Sequence, residues 1–308
     1  CKRDIKLYPK RVIVGSEVFC EDVYAYARYS ENHPAILGSF VWTGIDYLGE
    51  VALGAIEYRE YAPTFDKGVG WLTSSCGSLD ITGTPTAEMA YLRVAYGISP
   101  IGIGVVPLPS GDKSHSRSAW RMTPAKQSWA WEGCEGRKIT VEVYSRGATA
   151  ALYLNGALLA KKRVKRGDCR TIFKTRYEPG TLEAVSYDAA GNEIARTSLV
   201  SAEKDTKLTL VPEKTQISAD GLCYVRAMYT DAKGTVKVTR RGDITIKVEG
   251  GQLMGFGSGC PYNKRGFLTD VSDTYYGETL AVIKPASDAV SIEVSDGTYS
   301  AKTVVKVV

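Results

Sequence analysis

Residues 8–17 read YPKRVIVGSE and residues 38–50 read GSFVWTGIDYLGE. In the first stretch, Arg11 to Gly15 is a short run of β-branched residues closed by Pro9 on one side and Gly15 on the other. It fits a strand buried on both faces, the kind a parallel sheet uses. Asp22 to Ser30 then reads as a short helix, with Asp22 at the N-cap. After the punctuation of Asn32-His33-Pro34, a second buried strand is expected over Ile36 to Trp42. A long glycine-rich loop follows as far as Pro85. There Thr84 can cap a helix with Pro85 at its first position, and Ala87, Ala90, Tyr91, Val94 and Ala95 share one apolar face. Strand, helix, strand, long loop, helix is the unit from which an α/β barrel is built. Two such units are present, where a closed barrel has eight.

Composition narrows the field further. The 308 residues are 44% hydrophobic and 24% charged, enough apolar material for real cores and too much for a disordered chain. No apolar run approaches the ~20 residues of a membrane-spanning helix. The 39 Lys and Arg exceed the 34 Asp and Glu by only five, spread along the chain, so nucleic acid is not expected as a partner. The seven cysteines are scattered and include no C-x-x-C pair, and there are only two histidines, His33 and His115. Neither a zinc site nor a disulfide framework is expected, and the cysteines read as small buried hydrophobes. No cofactor is implied. The chain starts at Cys1 with no export-signal pattern, which reads as a piece of a longer protein.

All five tryptophans fall before residue 132, and the hydrophobic period changes with them. Residues 106–118, rich in proline and polar residues, read as a linker. Beyond it the period is two: Ile139, Val141 and Val143 alternate with polar residues, and Ala151 to Leu154 runs into Asn155-Gly156, a strong hairpin turn. Residues 119–202 therefore read as an immunoglobulin-like β-sandwich. A polar break at Ala202-Glu203-Lys204-Asp205 precedes a second sandwich over 206–308, with strands expected at Leu208–Val211, Leu222–Tyr229, Ile244–Val248, Thr279–Ile283, Val290–Val294 and Thr303–Val308. The expected fold is thus multidomain: the end of a (β/α)8 barrel over 1–105, then two sandwiches.

Two residues stand at strand ends where chemistry is commonly placed. Glu17 lies just past the first strand and Trp42 at the end of the second, and the C-terminal rim of parallel strands is where barrel enzymes put reactive groups. A flat indole there suits the C–H face of a sugar. On local sequence alone, Glu17 serves equally as a cap of the next turn and Trp42 as packing under a loop. Other features read as structure. Gly255-x-Gly257-x-Gly259 lacks the strand-to-helix context of a phosphate loop and is expected to be a turn. The basic run Lys161 to Arg166 reads as a solvated strand and loop. Trp129 and Trp131, two apart on an expected strand, read as interface packing, with sugar contact as the alternative.

The segments 8–17 and 38–50 together closely resemble the end of the catalytic barrel in glycoside hydrolase family 2, particularly bacterial β-galactosidase-type members. The resemblance continues through Trp71, residues 76–83 and the Pro85 helix. It extends over residues 128–133 and 154–156 into a following sandwich, and over 217–221 and 255–259 into a terminal one. It implies a retaining exo-β-glycosidase acting on a β-glycoside or oligosaccharide, with Glu17 as nucleophile, Trp42 stacking on the sugar and Asp46 hydrogen bonding a hydroxyl. The sequence departs from the family pattern in lacking the upstream Asn-Glu pair that carries the acid/base; Glu21, Glu50, Glu57 and Glu60 have the wrong context. The resemblance therefore implies the C-terminal part of such an enzyme, inactive without the upstream part of the same polypeptide. Export to the periplasm or outside suits a glycan-degrading enzyme, although no segment encodes it. The rival reading is a non-catalytic β-sandwich module for glycan binding or structural bracing. An adhesin of immunoglobulin-like repeats is a weaker third, disfavoured by the α/β segment.

Overall fold

The computed structural model describes residues 2–55, 68–108 and 118–308. Cys1, Glu57, Glu60, His115 and most of the expected linker lie outside the described residues. The chain divides into two compact units. One comprises residues 1–67, 73–127 and 136–199; the other comprises 68–72, 128–135 and 200–308.

The first unit opens with a short helix α1 (Lys2–Leu7), then strand β1 (Ile13–Phe19), helix α2 (Val23–Ser30) and strand β2 (Ile36–Trp42). β1 and β2 pair in parallel, as the crossover through α2 requires. Asp22 does stand at the N-cap of α2, but it is helical in φ and ψ and makes no capping hydrogen bond, because a 3-10 turn over Cys20–Asp22 leads directly into the helix. The expected burial on both faces is not found among the described residues. Val12 (66%), Leu37 (73%) and Phe40 (69%) are largely exposed. A parallel sheet hides its faces only when neighbouring strands and helices cover both, and this sheet has two strands. One side is covered: Val18, Cys20 and Val23 share a core with helix α3 (Ala87–Ala95).

All five residues of the expected apolar face of α3 are buried. The helix starts two residues later than expected. Thr86, not Thr84, is its N-cap, and the Thr86 hydroxyl donates to the Ser78 carbonyl at 2.9 Å rather than to the helix. Strand β3 (Ile101–Val105) follows. It lies inside the stretch expected to belong to the barrel end, yet it pairs antiparallel with β4 (Lys138–Ser145), beyond the expected linker. Its two glycines explain the placement. Added Cβ atoms at Gly102 and Gly104 would press on Ala90 and Ala87, so the strand packs closely against α3 while bonding to β4.

Strands β5 (Thr149–Leu154), β6 (Ala157–Arg163), β7 (Arg170–Arg176), β8 (Thr181–Tyr187) and β9 (Glu193–Val200) complete two sheets, β3-β4-β7 and β6-β5-β8-β9. Their inward residues, among them Val141, Val143 and Phe173 on one side and Leu152, Leu182 and Ala184 on the other, are fully buried. The hairpin between β5 and β6 turns at Asn155 and Gly156, both at positive φ, as their residue types require. The run Lys161 to Arg166 is a solvated strand end and loop.

The second unit is built on β10 (Lys207–Pro212), β11 (Gln216–Ile217), β12 (Cys223–Thr230), β13 (Asp243–Glu249), β14 (Gly251–Gly257), β15 (Val271–Asp273), β16 (Glu278–Pro285), β17 (Ala289–Ser295) and β18 (Ser300–Val307). Sheets β10-β12-β16-β14 and β11-β18-β17-β13-β15 face one another. Val225, Ala227, Phe256, Ala281 and Ile283 from one meet Ile244, Ile246, Val290, Ile292 and Val294 from the other in a single core. All six expected strands are present, five of them within two residues, while β18 starts three residues earlier than expected. The expected turn at Gly255 and Gly257 is instead part of β14, which bulges between Leu253 and Gly255 against β16. Glycine is required there because a Cβ at Gly257 would collide with the Phe267 ring. Trp129 and Trp131 are buried but not on a strand, and Trp131 packs edge-to-face on Tyr276. No described helix is long and apolar enough to cross a membrane.

Candidate active site

Glu17 is inside β1 and exposed. The register around it is irregular: β1 takes three residues from Gly15 to Val18 while β2 takes two, from Ser39 to Val41. The extra residue is a bulge at Ser16-Glu17, a device that bends a strand and re-aims a side chain. Gly15 makes it possible. A Cβ there would sit 2.9 Å from the Ser39 Cβ, so only glycine lets the two strands close at that point.

Two residues further on, Phe19 lies opposite Trp42. Adjacent strands and a two-residue offset put the Glu17 and Trp42 backbones roughly 8 Å apart. Trp42 is half-buried, meets Tyr47 edge-to-face at 5.8 Å, and precedes a cis peptide to Thr43. Phe19 meets Trp120 in the same manner at 5.8 Å. Aromatic rings thus gather at the C-terminal ends of both strands. Tyr47 donates to the exposed Glu50 carboxylate. Burial, and then that carboxylate, push the Tyr47 phenol up to about 12, so it remains a donor at neutral pH.

Asp46 is placed differently from the other two. It is buried (5% exposed), and its Oδ1 accepts from the Cys76 backbone N–H at 3.2 Å. Burial raises its carboxyl, against the opposing pull of the Thr73 hydroxyl and the Arg121 guanidinium. Its surroundings explain the burial. Residues 43–54 are zipped to 73–79 by backbone bonds, including Ser78 N to Thr43 O at 2.9 Å, Asp46 N to Leu79 O at 2.9 Å and Gly54 N to Ser74 O at 2.8 Å. Gly77 lies so close to the Asp46 backbone that no side chain fits.

Beneath that loop is a charged pair the sequence reading missed. Arg121 donates to the carbonyls of Ser75 (2.7 Å) and Gly77 (3.0 Å) and stands 3.8 Å from Glu88. Glu88 is wholly buried and accepts from the Met122 and Thr123 N–H groups; burial raises its carboxyl, against Arg121. The available signal was a glutamate on the apolar face of α3, next to Ala87. Among the other acidic candidates, the Glu21 carbonyl accepts from Tyr91. Cys20, Cys76 and Cys169 are buried thiols whose burial raises their pKa, to about 12 for Cys76 and Cys169, so none is a ready nucleophile. Among the described residues, no three His, Cys, Asp or Glu side chains gather to hold a metal ion.

Comparison with known proteins finds similarity to parts of carbohydrate-cleaving enzymes. Residues 208–305 match the family described as "Glycoside hydrolase family 2 C-terminal domain 5", and residues 136–195 match "Domain of unknown function (DUF4982)". The β-galactosidase BoGH2A of Bacteroides ovatus is 25% identical over 300 residues, covering 90% of this chain and 30% of that protein. A putative β-glucuronidase of Formosa agariphila is 26% identical over 187 residues, 59% of this chain and 15% of that one. The crystal structure of a glycosyl hydrolase family 2 member from Bacteroides cellulosilyticus superposes with a TM-score of 0.86 at 27% identity, over the whole of this chain and 40% of its own. Residues 208–305 thus match a glycoside hydrolase family 2 C-terminal domain, and the chain as a whole is similar to part of a family 2 enzyme. It spans less than half the length of these relatives.

Proposed function

We propose that the chain is the C-terminal part of a retaining exo-β-glycosidase of β-galactosidase type, with Glu17 as its nucleophile. The observation that carries this reading is the bulge that turns an exposed carboxylate outward beside the strand ending in Trp42. Residues 1–100 then form the end of a (β/α)8 barrel, β3 joins the immunoglobulin-like sandwich that runs on to 202, and a second sandwich spans 206–308. In a retaining enzyme two carboxyl groups stand ~5–5.5 Å apart across the glycosidic bond. Glu17 attacks the anomeric carbon and the leaving oxygen takes a proton from the second group. Water, activated by that same second group, then releases the sugar from Glu17. The second carboxyl belongs to an upstream segment, so these residues are inactive without it. Trp42 offers its face to the sugar. Asp46, with its carboxyl directed at Cys76 N, acts on the substrate indirectly, by holding the loop after Trp42.

A 2-fluoro glycoside with a good leaving group tests the assignment in the complete enzyme. Peptide mapping is expected to find the glycosyl adduct on Glu17, and Glu17→Gln is expected to lower kcat by at least about 10³-fold, as loss of an essential nucleophile does. An adduct on another carboxylate overturns it.

A further inference from the structure

A cleft of about 510 Å³ opens in the first unit, between one face of α2 and the turn after β6. Tyr24, Ala25, Arg28 and Tyr29 line it from the helix, and Arg146 and the run Val164 to Asp168 line it from the sandwich. These residues are separate from Glu17 and Trp42. Small residues contribute to its lining. Ala25 carries only a methyl group between Tyr24 and Arg28. Gly147 admits no Cβ, which would collide with Ser186 and Tyr187, and Gly167 sits at φ 85°.

Its charge is organised rather than scattered. Glu31 accepts two hydrogen bonds from Arg146, at 2.8 and 2.9 Å, and another from Arg28. One carboxylate thus fixes two guanidinium groups side by side and leaves one positive charge over. Lys165 and Arg166, on the exposed turn opposite, have no ion-pair partner among the described residues. Asp168 is occupied in accepting from the Arg170 N–H at 2.9 Å. Four cations against two carboxylates leave an excess of two positive charges around a tyrosine-lined hollow.

We infer that this cleft is a second, non-catalytic binding site for an anionic saccharide, one bearing carboxylate or sulfate groups. The size suits one or two sugar rings rather than a folded protein. Tyrosine offers apolar ring area with a polar tip, and arginine offers paired donors to two oxygens of a carboxylate or sulfate. A continuous phosphate backbone fits less well, because Glu31 and Asp168 interrupt the positive surface. A saccharide with one charge every second ring tolerates them. The inference rests on the chain serving a saccharide-processing enzyme, and it places the contact away from the reacting bond, where it would hold a chain near the enzyme.

The test is calorimetric titration of the complete polypeptide, carrying Glu17→Gln to stop turnover, with a uronate-containing tetrasaccharide. The comparison ligands are its carboxyl-reduced counterpart and an oligophosphate of equal charge. The site predicts that Lys165→Ala with Arg166→Ala weakens tetrasaccharide binding at least tenfold. Ala25→Trp, which puts a large ring into the cleft from an exposed helix position, should do the same. Binding should weaken with added salt and be lost with the reduced sugar. Undiminished binding in both variants, equal binding of the reduced sugar, or tighter binding of the oligophosphate overturns the inference. In the Glu17-containing enzyme, both variants should hydrolyse a small aryl β-glycoside at the parent rate. An aryl glycosidase with no tetrasaccharide site would refute this cleft and leave the role of Glu17 standing.

Discussion

Asp46 shows how burial alone can alter the meaning of a carboxylate. Its native pKa is raised, by burial above all, whereas in the unfolded chain it titrates near ~3.9. The native state therefore holds the proton more tightly. The stabilisation from this group is complete below the unfolded value and is lost as pH climbs through the raised native one. Glu88 and Glu142 are raised for the same reason and act in the same direction. Asp46→Asn keeps an acceptor for Cys76 N and removes the titration. The urea midpoint of the variant is expected to fall less between pH 4 and pH 7 than that of the parent, and an identical fall would show that Asp46 titrates alike folded and unfolded. The residue scale is also where sequence reading stops short. Glu17 and Trp42 stand out in the sequence because each lies at or just past the end of a short apolar run. The burial of Asp46 does not, because it depends on a loop thirty residues away, and the Arg121–Glu88 pair does not, because it joins two elements with no local pattern in common.

Elements were read more reliably than residues where a local rule governed them. The β5–β6 hairpin followed from Asn155-Gly156, and the face of α3 from its apolar spacing. The rules failed where packing between elements decided the outcome. β3 was read with what precedes it, yet Gly102 and Gly104 let it join β4. The glycines 255 and 257 of β14 were read as a turn because they look like punctuation, whereas Gly257 makes room for Phe267. Gly15 is the most consequential of these close approaches. Gly15→Ala is expected to push β1 from Ser39 and displace the Glu17 bulge. Misplacing a reacting group by an ångström costs about a hundredfold in rate. In the complete enzyme kcat should fall by about that factor, with KM little changed and circular dichroism preserved. A variant of parental kcat would show that the bulge does not position Glu17.

In the second unit as a whole, Lys237 does what no short motif announces. It is 1% exposed, and its ammonium donates to the carbonyls of Glu203 (2.9 Å), Lys204 (3.0 Å) and Asp205 (2.8 Å) and to the Thr206 hydroxyl (2.9 Å), with Glu132 at 3.0 Å. One cation thereby fastens residues 203–206 and the segment 128–135 to the second sandwich. Lys237→Met takes the shared donor from three carbonyls and a hydroxyl and is expected to cost about 1–3 kcal/mol in urea unfolding, as acceptors left without a donor do. Glu132→Gln, at the exposed end, should cost under about 1 kcal/mol. Comparable losses in the two variants would show that the carboxylate, not the carbonyl cage, holds the cation.

The bare apolar surface of β1 and β2 carries a practical cost. Val12, Val14, Leu37 and Phe40 present to water the kind of greasy, open-edged ribbon that quality-control machinery in the cell seizes. A culture making these 308 residues by themselves is expected to yield soluble material in proportion to its chaperone supply and to lose it to inclusion bodies otherwise. Exchanging Leu37 and Phe40 for serine should loosen that dependence before any change to the sandwiches does.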